Sequence, residues 1–197
     1  MGQRGRKKGA SGEESRALLL TIAAEEFANK GFYETKVSSI VKQANVTQPT
    51  FYLYFQSKEA IFQELIDSFR DQLFSLTKVS KLEPGIVSEN VPAQITDHLA
   101  SIFTFFKNNP DLTRIGFFLA VESEDIKRQL ASQIKMNLDS EVQNGYFLSN
   151  LDTSLFAEML VGAIERLTLN QLFQGKETPE NLAAKMVRLF LYGVSRK

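Results

Sequence analysis

Apolar positions recur along the chain at helical spacing, and no segment shows the sustained apolar/polar alternation and β-branched enrichment of a strand. Leu19, Ile22, Ala23 and Phe27 stand at i, i+3, i+4 and i+8 behind a capping-box pattern of Ser11 and Glu14. They predict a first helix that Gly31 ends in the left-handed region. Val37, Ile40, Val41 and Ala44 predict a two-turn helix stopping at Asn45, a residue tolerant of positive φ. Thr47 then caps a third short helix, with Pro49 in its first turn, that runs to about Phe55. A long amphipathic helix from about Lys58 to Thr77 turns Ile61, Leu65, Ile66, Phe69 and Leu73 toward a core.

Lys78 to Val91, with Pro84 and Gly85, breaks the pattern and predicts a mobile loop. Five more helical patterns follow. Ile95, Leu99, Ile102, Phe103 and Phe106 make one stripe, and Leu112, Ile115, Gly116 and Leu119 make the next, after an Asn109-Pro110 start. Ile126, Leu130, Ile134 and Leu138 mark a third, closing near Asn144-Gly145. The last two helices span residues 152–174 and 178–195, the second opened by Thr178-Pro179. The fold class is therefore all-α, with about nine helices.

Composition narrows the chemistry. Of 197 residues, 43% are hydrophobic and 23% charged, an ordinary globular balance that excludes disordered and collagen-like chains. The absence of cysteine removes disulfides, zinc ribbons, iron–sulfur clusters and thiol nucleophiles. A single histidine, His98, rules out sites needing two imidazoles, so neither a metal nor a cofactor is expected. Asp97-His98 does not make a catalytic triad, because neighbours on a helix diverge by about 100° and no G-x-S-x-G elbow is present. No phosphate-cradling glycine loop occurs either, and the chain is not expected to be an enzyme.

The longest apolar run, Ile115 to Val121, falls far short of the ~20 residues of a membrane span. Glu13 and Glu14 interrupt the resemblance of the basic start to a secretion signal, so a cytoplasmic protein is expected. Net charge is zero, but residues 1–60 carry nine Lys/Arg against six acids, and the remainder 14 against 17. That asymmetry either turns the first sixty residues toward an anionic partner or is chance.

Two short helices joined at Asn45-Val46, the second opening on Thr47-Gln48-Pro49-Thr50, form a helix-turn-helix pattern, although such corners also occur in plain helical bundles. The segment TKVSSIVKQANVTQPTFYLYFQSKEAIF, residues 35–62, resembles the DNA-binding domain of the TetR family of bacterial transcriptional regulators. Phe27, Gly31-Phe32, Thr35, Ile40, Ala44, Val46, Phe51-Tyr52, Tyr54-Phe55 and Ser57-Lys58-Glu59 stand where the family pattern places them. Asn45 replaces the usual glycine, and Lys36 a threonine or small residue. The resemblance is strong over residues 13–66 and implies a basic arm over 1–10, a helix-turn-helix domain over 11–57 and a helical ligand-binding and dimerisation domain over 58–197. It implies a repressor released from a palindromic double-stranded operator by a small-molecule effector. The alternative is a helical protein-interaction module with no DNA or ligand switch.

The residues fit that chemistry. A helix over residues 47–55 spans about 13 Å and suits a major groove about 12 Å wide. Phe51 and Phe55 face the core, leaving Gln48 and Tyr52 on the opposite face; Gln48 can read an adenine edge, and Thr47 and Thr50 can donate to phosphate or base. Lys36 offers a cationic contact, Tyr52 and Tyr54 hydroxyls for phosphate, and Lys58 an ammonium at a helix start. Tyr54 serves equally as packing behind Phe51 and Phe55. Arg4 and Arg6, in a glycine-spaced basic run, either enter a minor groove or remain solvated charge.

The family likeness also implies a ligand cavity among the later helices. Phe103, Phe106, Phe117 and Phe118 are candidate walls for an apolar or aromatic effector, with His98 and Met159 beside them, and core packing is the competing role. His98 flanks an apolar stripe as a boundary histidine or a ligand contact. Glu165 and Arg166 are candidates for an intersubunit pair or a polar pocket wall. Helices 152–174 and 178–195 are too apolar for one buried face, which predicts a homodimer packed as a four-helix bundle.

Overall fold

The structure, a computed structural model, describes residues 10–80, 82 and 85–194. Among them are nine α-helices and no strand: α1 (Ala10–Glu34), α2 (Val37–Gln43), α3 (Gln48–Tyr54), α4 (Lys58–Lys78), α5 (Val91–Asn108), α6 (Pro110–Arg114), α7 (Ser123–Gln143), α8 (Thr153–Leu167) and α9 (Pro179–Tyr192). Arg4 and Arg6 lie outside the described residues. α1 is helical from Ala10, so Ser11 falls inside its first turn and the capping-box pattern does not mark its start.

Side-chain caps fix the starts of α3, α4, α8 and α9, whereas Asn109 at the start of α6 makes no such cap. Thr47 Oγ1 accepts from the Thr50 N–H (3.4 Å), Asp152 from Leu155 (2.9 Å) and Thr178 from Asn181 (3.2 Å), each satisfying a backbone donor that the helix leaves free. Ser57 does the same for Ala60 at the start of α4. Asn45 takes φ 52°, and this lets the chain reverse between α2 and α3 without glycine. Gly31 breaks α1 with φ 80° and ψ 167°, outside the left-handed helical well and in a region that essentially only glycine enters.

One continuous apolar core joins the head to the body of the molecule. Phe27, Ile40, Phe51 and Ile61 are fully buried at the head, and α4 extends the core through Ile66, Phe69 and Leu73 to Phe103, Phe106 and Phe117. The pattern expected to form one helix over 110–119 divides into α6 and a π-helical turn over residues 115–119. Gly116 makes that turn possible against α4, because a Cβ there would lie 2.2 Å from Phe69 Cδ1 and 2.9 Å from Phe69 Cβ. A second π-helical turn, over residues 168–172, extends α8.

α5 packs on α9, and α7 packs on α8. The connection after α4, expected to be mobile, is held at Leu82, which is buried and donates its N–H to Glu141 Oε1 at 3.1 Å. Glu165, a candidate polar pocket wall, does not line the cavity described below. It accepts from Lys127 Nζ of α7 at 2.7 Å within the same chain. Burial opposes the Lys127 charge, yet Glu124 and Glu165 outweigh it and hold the ammonium above its ordinary pKa.

Candidate nucleic-acid interface and effector cavity

The short helix α3 is oriented by Phe51 and Phe55, both buried, whose rings meet at 5.6 Å. Arg16 covers the outer face of Phe55 at 5.1 Å while binding both Glu64 oxygens at 2.7 Å, which ties α1 to α4 over the buried ring. With that face inward, Gln48, Pro49, Tyr52 and Leu53 are exposed together, and Lys36 and Tyr33 are exposed on the approach to α2. Leu53 is the residue that sequence reasoning missed. It is 79% exposed, more than Tyr52 at 51%, whose ring lies edge-on against Phe51. Its signal was available, because residue 53 lies two positions from Phe51 and so about 200° around the helix from it.

The structure redistributes the other expected contacts. The Thr47 and Thr50 hydroxyls are 2.8 Å apart, so they bond to each other while Thr47 also caps α3. Tyr54 is half-buried, and a Cβ placed on Gly12 of α1 would lie 3.5 Å from its hydroxyl. Packing is its observed role. The Lys58 ammonium, expected as a contact to the DNA backbone, donates to the carbonyls of Phe32 (2.8 Å) and Thr35 (3.0 Å) and sits 4.3 Å from the Phe32 ring centroid. It closes the free carbonyls at the end of α1 and joins them to the first turn of α4.

Beneath α2 lies a buried carboxylate that the apolar pattern did not single out. Glu26 accepts from Lys30 (2.7 Å), Ser39 (2.7 Å) and Gln43 (2.5 Å), fixing both turns of α2 against α1. The Lys30 bond, then those of Ser39 and Gln43, hold its carboxyl below the ordinary value of 4.5 despite burial. A depressed folded-state value means that the ionised form stabilises the fold above about pH 4.5, and this contribution is lost as pH falls through the folded-state value. Glu26→Gln is therefore expected to cost about 1 kcal/mol at pH 7. The gap from the parent should close on acidification in urea midpoints measured from pH 7 to 3.

A cavity of about 600 Å³ opens among α5, α7, α8 and α9 and reaches Thr77 in the last turn of α4. Its aromatic walls are Tyr146, Phe147, Phe156, Phe190 and Tyr192, and its polar groups include His98, Asn137 and Glu141. Of the six residues expected to line it, only His98 does. Phe103, Phe106 and Phe117 are fully buried in solid core, where Phe106 meets Phe69 and Phe117 at 6.0 and 5.4 Å. Phe118 packs edge-on against Phe117 and under Lys127. Met159 is 54% exposed on the outer face of α8. Helical spacing identifies a buried face but does not say whether it meets a neighbour or a void.

Residues 19–65 match the bacterial regulatory proteins of the tetR family. Over 188 residues the chain is 47% identical to the uncharacterized HTH-type transcriptional regulator YdgC of Bacillus subtilis, an alignment covering 95% of this chain and 96% of that one. The chain belongs to the TetR family. Two solved structures share the fold of this TetR-family regulator. A bacterial regulatory protein of the tetR family from Rhodococcus RHA1 aligns with TM-score 0.74 at 18% identity, covering 93% of this chain and 98% of that one. The transcriptional regulator FadR of Bacillus subtilis, in complex with stearoyl-CoA, aligns with TM-score 0.69 at 20% identity, covering 91% and 99%. The chain is thus a DNA-binding transcriptional regulator, and among its described residues no helix is long and apolar enough to cross a membrane.

Proposed function

We propose that this regulator is a repressor that holds a near-palindromic operator as a homodimer and is released when an apolar small molecule fills the cavity. The observation that carries the reading is the position of the cavity. Its wall includes Thr77 at one end of α4, while Lys58 at the other end is bonded to the end of α1 in the DNA-binding head. The FadR neighbour, crystallised with stearoyl-CoA, supports a long apolar occupant for this fold.

In the proposed complex α3 enters the major groove, with Gln48 reading a base edge and Leu53 offering an apolar contact to a thymine methyl. Lys36, Thr50 and Tyr52 contact the phosphates alongside it, and Arg4 and Arg6 add salt-dependent attraction. Leu155 and Met159 on α8 and Leu189 on α9 are exposed apolar side chains on the helices assigned to the dimer interface, and they support a two-fold interface there. The division into a head over 11–57 and an effector and dimerisation region over 58–197 belongs to the same proposal.

Electrophoretic shift with the DNA upstream of the regulator's own gene tests the reading. A retarded complex with dimer stoichiometry is expected, and no shift at micromolar protein would overturn it. Lys36→Ala should weaken binding to all sequences and reduce the salt slope, whereas Gln48→Ala should lower discrimination at one base pair by roughly tenfold. Equal losses on every sequence for both variants would refute the division into positioning and reading residues.

A further inference from the structure

The cavity wall holds one group that the proposed effector role does not yet use. Glu141 continues the buried stripe of α7, three residues beyond Leu138, and is 3% exposed. Its Oε1 accepts a single hydrogen bond, from the Leu82 N–H, and its Oε2 is buried with no hydrogen-bond partner among the described residues. A carboxylate has about four acceptor sites on its two oxygens, and burying one with so little compensation is unfavourable. Buried polar groups are otherwise nearly always bonded. His98, on the same wall from α5, also has a buried Nδ1 without a partner.

The lining described around these two groups is otherwise largely apolar, and it includes no lysine or arginine among the described residues. Among the described lining residues, an anionic headgroup would meet that carboxylate with no lysine or arginine beside it. A headgroup that donates hydrogen bonds would complete Glu141. We propose that the effector is an apolar molecule ending in a protonated amine, whose N–H groups bond Glu141 while its hydrocarbon part lies among Phe147, Phe156 and Phe190. This inference rests on the effector-release reading and adds the headgroup chemistry to it. It sets this regulator apart from a neighbour holding an acyl-CoA, whose headgroup is anionic. A cavity of about 600 Å³ lies within the range of about 300–1,000 Å³ that takes ligands of this size.

The test is calorimetric titration of the full chain with decylammonium, decanol and decanoate, three probes that share one hydrocarbon chain and differ only in the headgroup. Decylammonium is expected to bind at least roughly tenfold more tightly than decanoate. Glu141→Gln, which keeps an oxygen to accept from Leu82, is expected to bring the two within about threefold and leave decanol unchanged. The ranking on the parent chain decides the matter even if the variant folds poorly. Decanoate binding as tightly as the amine, or a preference that survives Glu141→Gln, would overturn the proposal. If decanol or decanoate binds and releases operator DNA while the amine does not, the amine is refuted and effector release stands. If none of the three binds at millimolar concentration, both fail.

Discussion

Phe106→Ala is expected to lower the free energy of unfolding by about 3–5 kcal/mol and to leave the affinity of a cavity occupant within about twofold. Phe106 is fully buried, with ring centroids of Phe69, Phe105 and Phe117 at 6.0, 5.8 and 5.4 Å. It lies outside the cavity lining, so truncation leaves a void in solid core and not an enlarged ligand site. Native domains are stable by only about 5–15 kcal/mol, so the loss is a large share of the total and should appear as a clear fall in the urea midpoint. Phe156→Ala, on the cavity wall, provides the contrast: reduced affinity for an apolar occupant with a smaller loss of stability. A Phe106→Ala protein of parental stability and impaired ligand binding would show that the side chain belongs to the cavity after all.

That contrast also marks what could be read from the sequence. Local signals held at some helix starts and failed at others: the Ser11 and Glu14 box lies inside α1, and Asn109 makes no side-chain cap. Thr47, Asp152 and Thr178 cap helices because each cap spans only three residues, and Asn45 takes positive φ because of its own side chain. Helical spacing also separated Phe51 and Phe55 from Gln48 correctly. Contacts between distant residues were not legible. Lys58 bonds carbonyls 26 and 23 residues away, and Lys127 pairs with Glu165 across 38 residues. No spacing rule could choose those partners over DNA or a second subunit.

The cavity failed to register for a related reason. Phe103 and Phe147 look alike as sequence, and only the way α5, α7, α8 and α9 diverge decides which one faces a void. Glu141 did leave a trace, as a lone acid continuing the Ile134 and Leu138 stripe. The π-helical turn over residues 115–119 was hidden because its spacing imitates an α-helix over so short a stretch.

Operator DNA is expected to lower the affinity of the effector by the same factor, about 5- to 150-fold, by which the effector lowers the affinity for operator. Two heads that must match successive major grooves, about 34 Å apart or a multiple of that, are sensitive to small changes in their separation. α4 is 21 residues long, or about 30 Å, and spans the distance between the two sites. Its last turn is fixed to α7 by Asn137, whose Nδ2 donates to the Thr77 carbonyl at 3.2 Å, and its first turn is fixed to the end of α1 by Lys58. An occupant that pushes α7 away from α5 therefore acts on α4 at Thr77, and the rigid helix conveys the shift to the head. The effector can do this only by binding one head spacing better than the other, so the coupling must run in both directions. Calorimetric titration of an effector with and without saturating operator measures it directly. Equal affinities would show that filling the cavity leaves the heads where they are and that α4 carries no signal between the two sites.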